Sequence, residues 1–412
     1  MNWELVKTKG HKTVKVNHDG KEYYLHSRYN PIKEASSWVN GLPRILQDEI
    51  IVIGLGLGYH IAELKKMYPD ITIHVFEFNT KYVHWLIEHR LIVEDLLNEQ
   101  VVLHFNQNSI FNEIRQMLNE TKENFFIYKP SLELIENEDL KRSLESFHLY
   151  NRTILEQSGN LIENFNLNIT LRDKEISNEL FNFHDHTCIL VSAGPSLTKQ
   201  LSMLKRVSLD GKFKIICVGT AVIPLLAENI KPDLIMISDP KDNIFKQLEG
   251  INTTGIPLVY LSTANHLTVK SYSGQRFIAW QKGFQQAEIN AQSNSILLET
   301  GGSVATCLLD MLVKLGCKRI GLVGQDLSFT ENFSHAANAH AQKVIQENYK
   351  YIEVKDFYGT GKVKTSKNLY AYLKWFERYA RTHQELELCN CTEGGAFIKG
   401  WKHMSLREFL KL

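Results

Sequence analysis

The sequence predicts an α/β chain: two Rossmann-like parallel-sheet domains joined by a helical connection. Three observations carry this. Apolar runs of strand length alternate with helix-period segments from Ile50 to Tyr128, and again from Cys188 to Val323. Most of these runs are nearly continuous in Val, Ile and Leu, as in strands buried on both faces. Between the two series, from Ser131 to about Leu180, the chain turns polar and helical without a strand signal, which places the connection there.

The elements follow in order. Val14 to Val16 and Tyr23 to Leu25 flank Asn17-His18-Asp19-Gly20, and Asp-Gly between such runs predicts a hairpin. Ile50 to Ile53 predicts a buried strand, and Ile61, Leu64 and Tyr68 recur at helical spacing after it. Ile71 to Phe76, Val101 to Phe105 and Phe125 to Tyr128 are further strands, with a helix through Trp85 after the first of them. In the second series the strands are Cys188 to Val191, Ile215 to Val218, Leu234 to Ile237, Leu258 to Leu261, Phe277 to Trp280 and Ile320 to Val323. Leu197, Leu201 and Leu204 mark one intervening helix. Leu369, Leu373 and Phe376 mark the last, before a closing strand near Leu386 to Leu388. The expected division is 1–45 for an N-terminal hairpin and extension, 46–175 and 176–385 for the two sheets, and 386–412 for the closing strand and C-terminal helix.

Composition sets limits on function. The 412 residues are 43% apolar and 23% charged, enough for sizeable cores and too ordered for a disordered chain. Forty-seven Lys plus Arg balance 46 Asp plus Glu, so no basic face points to nucleic acid or an anionic membrane as partner. No apolar run approaches the roughly 20 residues that span a bilayer, so integral membrane association is not expected. Met1-Asn2-Trp3-Glu4-Leu5 lacks the features of a signal peptide. The six cysteines form no C-x-x-C pair. Cys389-Asn390-Cys391 is poor ligand geometry, and no H-E-x-x-H occurs among the histidines. No metal site is expected, and the compartment is expected to be the cytoplasm. An oligomer is compatible with all of this.

Ligands of open parallel sheets bind beyond the carboxyl ends of the strands. In the second domain those ends carry Ser192-Ala193-Gly194-Pro195-Ser196, Gly219-Thr220, Ser238-Asp239-Pro240, Ser262-Thr263-Ala264-Asn265 and Gly324-Gln325-Asp326. A further helix opens with Gly301-Gly302-Ser303. Gly admits close backbone approach, and free N–H groups at a helix start attract phosphate. Each loop alone is ordinary turn chemistry. Together, on one side of one sheet, they predict a small-molecule site. In the first domain Gly54-Leu55-Gly56-Leu57-Gly58 follows a strand, and Glu77 ends the next one. This spacing suits either a methyltransferase or dinucleotide turn, or a structural turn that brings helix and strand close.

These residues also carry a resemblance. Gly194-Pro195-Ser196-Leu197, Pro232-Asp233 through Ser238-Asp239, Gly301-Gly302-Ser303-Val304-Ala305, Gly324-Gln325-Asp326-Leu327-Ser328-Phe329 with His335-Ala336, and Thr392-Glu393-Gly394-Gly395-Ala396 resemble the successive motifs of motility-associated-factor (Maf) glycosyltransferases. The resemblance covers about 180–400, and the N-terminal half then corresponds to the family's accessory domain. It implies a transferase that attaches a nonulosonic (sialic-, pseudaminic- or legionaminic-type) acid to Ser or Thr of flagellin. The central domain is also similar to 6-hydroxymethylpterin diphosphokinases. More distantly it resembles bacterial CMP-sialic acid sialyltransferases, which use a CMP donor and need no metal. That likeness implies that Gly194, Pro195, Ser196, Gly301, Gly302 and Ser303 contact the nucleotide. Gly219, Thr220, Ser238, Asp239, Thr263, Asn265, Gln325 and Asp326 complete the expected nucleotide-sugar set.

One departure stands out. The segment matching the sialyltransferases' catalytic His, Tyr358-Gly359-Thr360-Gly361-Lys362-Val363-Lys364, contains no His. Asp326, Asp239 and His335 are therefore the candidate catalytic side chains. The family resemblance places transfer in the second domain and makes the Gly54–Gly58 turn accessory. Two other function classes stay open: an ATP- and Mg²⁺-dependent pyrophosphokinase using Asp239 and Asp326, and a non-catalytic protein that binds flagellin.

Overall fold

The computed structural model describes residues 1–18, 20–42, 48–91, 96, 100–105, 125–137, 140, 141, 144, 159–251, 253–329 and 351–411. The chain divides into two compact units, Met1–Leu155 and Glu156–Leu412. Both are α/β units built on parallel sheets, as the sequence predicts.

The first unit opens with β1 (Asn2–Lys7), β2 (Lys12–His18) and β3 (Lys21–Tyr24), an antiparallel three-stranded sheet, followed by α1 (Pro31–Asn40). The sequence predicts the β2–β3 hairpin but not β1, whose exposed and half-buried residues alternate without an apolar run. Then come β4 (Glu49–Ile53), α2 (Tyr59–Met67), β5 (Thr72–Phe76), α3 (Thr80–Glu88), β6 (Val101–His104) and β7 (Phe125–Ile127). The four strands form a parallel sheet in the order β6-β5-β4-β7. Along β4 the side chains alternate between two cores. Ile50 and Val52 join one with Ile61, Leu64 and Tyr82, while Ile51 and Ile53 join the other with Phe76 and Ile127. Burial on both faces accounts for the uninterrupted apolar run.

In the second unit, residues 159–169 are helical. There follow β8 (Lys174–Glu175), β9 (Thr187–Val191), α4 (Leu197–Asp210), β10 (Phe213–Val218), α5 (Val222–Ala227), β11 (Leu234–Ile237), β12 (Leu258–Leu261), α6 (His266–Ser271), β13 (Arg276–Gln281), α7 (Gln285–Asn290), β14 (Leu297–Leu298), α8 (Val304–Lys314) and β15 (Arg319–Val323). The chain closes with β16 (Ile352–Lys355), β17 (Lys362–Thr365), α9 (Lys367–Thr382), β18 (Glu387–Asn390), β19 (Lys402–His403) and α10 (Leu406–Lys411). The main sheet runs β14-β13-β12-β11-β10-β9-β15-β18-β19, with β8 also on β13 and every pair parallel.

Two features depart from the sequence reading. The stretch expected to be strandless contains β8, two residues long and too short to show a pattern. Tyr358 to Lys364 falls in the turn and second strand of an antiparallel ribbon, β16–β17, whose alternating charges leave no apolar signal. From β9 the chain steps outward through β10 to β14, then returns to place β15 on the other side of β9. The strand order therefore reverses between β9 and β15, and loops leaving their carboxyl ends flank the resulting crevice.

Candidate functional site at the strand ends

Three groups of side chains stand beyond the carboxyl ends of the main sheet. The first lies at the reversal point. Asp326 is buried, and its Oδ2 accepts from the Ser196 hydroxyl at 2.6 Å, while the Ser196 N–H lies 3.3 and 3.4 Å from the two carboxylate oxygens. The carboxylate thus occupies the start of α4, where the helix dipole favours negative charge. Ser196 occupies the N-cap position without a side-chain capping bond of its own, so Asp326 supplies the acceptor from another loop.

Two glycines make this approach feasible. A Cβ on Gly194 would stand 2.1 Å from Asp326 Oδ2 and 2.5 Å from the Gly324 carbonyl, which accepts the Gly194 N–H at 2.7 Å. Gly395, at φ +74°, lies against the Asp326 backbone so closely that a Cβ would be 2.2 Å from its carbonyl oxygen. The Ser192 hydroxyl donates to Gln325 Oε1 at 2.5 Å, and Thr392 Oγ1 accepts the Gln325 N–H at 3.3 Å. Glu393 accepts from Gln200 Nε2 and from the Leu406 N–H, both at 2.9 Å. The loops after β9, β15 and β18 are therefore one hydrogen-bonded assembly.

The second group lies after β11 and β12. The Asp239 carboxylate accepts the Lys241 N–H at 3.0 Å, and its backbone carbonyl accepts the Asn265 N–H at 3.0 Å. Asn265 is buried. It caps α6 by accepting from the Thr268 N–H at 2.9 Å and donates to Asp242 at 2.9 Å. Gln281 Nε2 donates to Thr263 Oγ1 at 2.9 Å, and Gln281 Oε1 accepts from Ser262 at 2.8 Å. Ser238 precedes Asp239 on the same rim and is half-buried. Gly219 and Thr220 follow β10, where a Cβ on Gly219 would stand 2.7 Å from Gln247 Oε1.

The third group is the start of α8. Gly302 has φ +89°, and the face of Trp375 covers Gly301, so that a Cβ there would be 2.6 Å from the ring. Ser303 occupies the N-cap position with no side-chain capping bond, and Gly302 is exposed. Trp375 belongs to α9, and Tyr372 lies one turn earlier on the same helix. Burial, then the nearby Asp239 carboxylate, push the Tyr372 phenol above its ordinary range. Helix α9 thus links the second and third groups.

Pro195 is half-buried in the turn between Gly194 and Ser196. His335 lies outside the described residues. Among the described residues no group of three or more His, Cys, Asp or Glu side chains could hold a metal ion, and no helix is long and apolar enough to cross a membrane.

Sequence reasoning missed Asn164 and Asn168. Both project from helix 159–169, spaced i, i+4, onto the loops after β11 and β12. Asn164 donates to the Pro240 carbonyl, and Asn168 donates to those of Ser262 and Ala264. The spacing was the available signal, but it lies in the polar stretch assigned to the connection.

In the first unit, Gly54, Gly56 and Gly58 all have positive φ, at 100°, 52° and 82°. Two N–H groups of the turn are already engaged by side chains. Glu77 Oε2 accepts from the Leu55 N–H at 3.2 Å, and His26 Nε2 accepts from the Leu57 N–H at 2.9 Å. Glu77 is buried, and burial pushes its carboxyl up to about 7 despite amide donors from Leu55, Asn79 and Phe78.

Residues 159–332, less than half of the chain, match the family described as 6-hydroxymethylpterin diphosphokinase MptE-like. No curated protein matches the sequence. Among solved structures, the chain is similar to the Maf glycosyltransferase from Magnetospirillum magneticum AMB-1. The match has 15% identity and a TM-score of 0.54, and covers 100% of this chain and 71% of that one. Both findings support the motility-associated-factor assignment read from the motifs. At that identity the likeness is one of architecture: the chain has the fold of a Maf glycosyltransferase, with an MptE-like stretch at 159–332.

Proposed function

We propose that the chain is a glycosyltransferase that moves a nonulosonic acid from a CMP donor to Ser or Thr of flagellin. The observation that carries this reading is the assembly at the β9–β15 reversal, where Ser196 and Asp326 hold the Gly194–Ser196 turn at a crevice of the sheet. Its support is the Maf-like architecture across the whole chain. In this reading the turn and the Gly301–Ser303 helix start receive the cytidine nucleotide. The Gly302 and Ser303 N–H groups stabilise the departing phosphate without a cation, while the Gly194 and Ser196 N–H groups, held by the Gly324 carbonyl and Asp326, shape the turn. Ser238, Asp239 and Thr263, next along the rim, face the sugar. The transition state resembles an oxocarbenium ion, so the acceptor hydroxyl needs only a positioned base.

The MptE-like match favours a second reading, a pyrophosphokinase using ATP and Mg²⁺. Asp239 would be the side chain to hold the ion, since the Asp326 carboxylate already accepts from Ser196.

A thermal-shift series with CMP, UDP, GDP, ATP plus Mg²⁺, and S-adenosylmethionine separates the two. A ligand at 100 times its Kd stabilises the native state by about 2.7 kcal/mol. CMP alone, without added metal, is expected to give the largest shift. A far larger shift with ATP and Mg²⁺ would replace the transferase with the kinase.

A further inference from the structure

Asn168 has an amide whose orientation is fixed by chemistry. Its nitrogen Nδ2 donates to the carbonyls of Ser262 at 3.0 Å and Ala264 at 2.8 Å, a task only the NH₂ end can perform. Its oxygen Oδ1 is therefore the atom that faces His266 Nδ1, at 3.0 Å. An amide oxygen only accepts, so the proton of a neutral His266 sits on Nδ1, and Nε2 carries the lone pair. Nε2 has no hydrogen-bond partner among the described residues, and the residue is half-buried.

The backbone is fixed as firmly as the ring. The His266 N–H donates to Asn164 Oδ1 at 2.9 Å, and Asn164 Nδ2 donates to the Pro240 carbonyl at 2.9 Å. The preceding residue, Asn265, is tied to the Asp239 carbonyl. His266 thus stands on the same rim as Ser238, Asp239 and Thr263. The groups facing it are Asn164 and Asn168 from helix 159–169, Lys270 from α6 and Arg276 from β13. Burial first, then these two cations, lower the imidazole from its ordinary value, so the neutral form dominates near pH 7.

We propose that His266 Nε2 is the general base of the transfer and that Asn168 is its positioning residue. This rests on the glycosyltransferase reading above. The acceptor hydroxyl oxygen bonds to the anomeric carbon, and the bond from that carbon to the phosphate oxygen breaks. CMP leaves with the electron pair, and the hydroxyl proton passes to Nε2. The other carboxylate candidates are less free for this step. Asp326 is buried against Ser196, and Asp239 accepts from the Lys241 N–H.

Two measurements test it. In cells, His266→Gln is expected to slow flagellin modification, followed by mass spectrometry, by about 10²–10⁴-fold. The purified variant should keep the wild-type melting temperature and CMP-induced shift. In long-range ¹H–¹⁵N spectra of the full chain, the wild-type ring should show a protonated Nδ1 and a bare Nε2. Asn168→Ala should move that proton to Nε2 while His266 remains. Wild-type modification by His266→Gln, or a wild-type ring protonated at Nε2, would overturn the proposal and leave the transferase reading standing. A wild-type chain that neither binds CMP nor supports flagellin modification would remove the transferase reading and the base assignment together.

Discussion

The Ser196 hydroxyl donates to Asp326 Oδ2 at 2.6 Å across 130 residues of sequence, joining the loop after β9 to the loop after β15. The two loops leave neighbouring strands, and the hydrogen bond closes them across the point where strand order reverses. The buried carboxylate, at the amino end of α4, is a charge-assisted acceptor in a setting that favours it. Its first effect is to shape the turn, whatever part it takes in transfer.

Removing either partner is therefore expected to weaken both fold and nucleotide binding. Ser196→Ala and Asp326→Asn should each destabilise the chain by about 1–3 kcal/mol, the range for leaving a buried hydrogen-bonding group without its partner. The double variant should cost less than the sum of the two. Urea midpoints and CMP titrations of all four proteins check this. Strict additivity would mean that the bond holds nothing.

Gly194→Ala should be worse than either. Its Cβ would meet a carbonyl as well as the carboxylate, and the carbonyl cannot swing away. A loss of at least about 3 kcal/mol is expected, in the range that overpacking and lost hydrogen bonds reach together. A melting temperature within two or three degrees of wild type would show that the β9 and β15 loops can separate without harm.

What the sequence showed and what it hid have one physical cause. Cys188 to Val191 and Leu234 to Ile237 are buried on both faces, so their strands appear as bare apolar runs. The site loops were visible for a related reason, since Gly, Ser and Asp gather where such runs stop. The polar contacts among them were not visible. Asn168 reaches His266 from 98 residues away and Asn164 from 102, and no local pattern records a partner at that distance. The β16–β17 ribbon was hidden too, because half-buried Ile352 and Val354 alternate with charged neighbours.

Gly301 offers a test by compensation. Gly301→Ala would press a Cβ into the Trp375 ring, which is nearly buried and stacked on Tyr379 at 4.7 Å. Overpacking of this kind costs roughly 1–3 kcal/mol. Trp375→Phe alone should also destabilise, by leaving a void, but it should recover part of the loss when combined with Gly301→Ala. Thermal melts of the three variants decide the matter. A double variant at least as unstable as the sum would place the strain elsewhere.

Glu77 gives a pH-dependent prediction for the first unit. Its carboxyl is raised from an ordinary 4.5 to about 7 by burial. Below pH 4.5 it is neutral both folded and unfolded, so burial of charge costs nothing. Between 4.5 and 7 the unfolded chain ionises first, and stability falls as pH rises, by up to about 3 kcal/mol at about 1.4 kcal/mol per pKa unit. Buried His26 and His60 have lowered values and act in the opposite direction, so the wild-type curve alone mixes these contributions. The difference between wild type and Glu77→Gln removes what they share. A Gln oxygen can keep one of the amide bonds from Leu55 and Asn79, and losing the other costs about 1 kcal/mol at any pH. Glu77→Gln should therefore be less stable than wild type at pH 4 and more stable than it at pH 8, while CMP binding by the second unit stays unchanged. Urea denaturation of the full chain at the two pH values measures this. A gap of constant size would show that Glu77 ionises as freely folded as unfolded. Tight S-adenosylmethionine binding lost in Glu77→Gln would instead make the Gly54–Gly58 turn a working cofactor site.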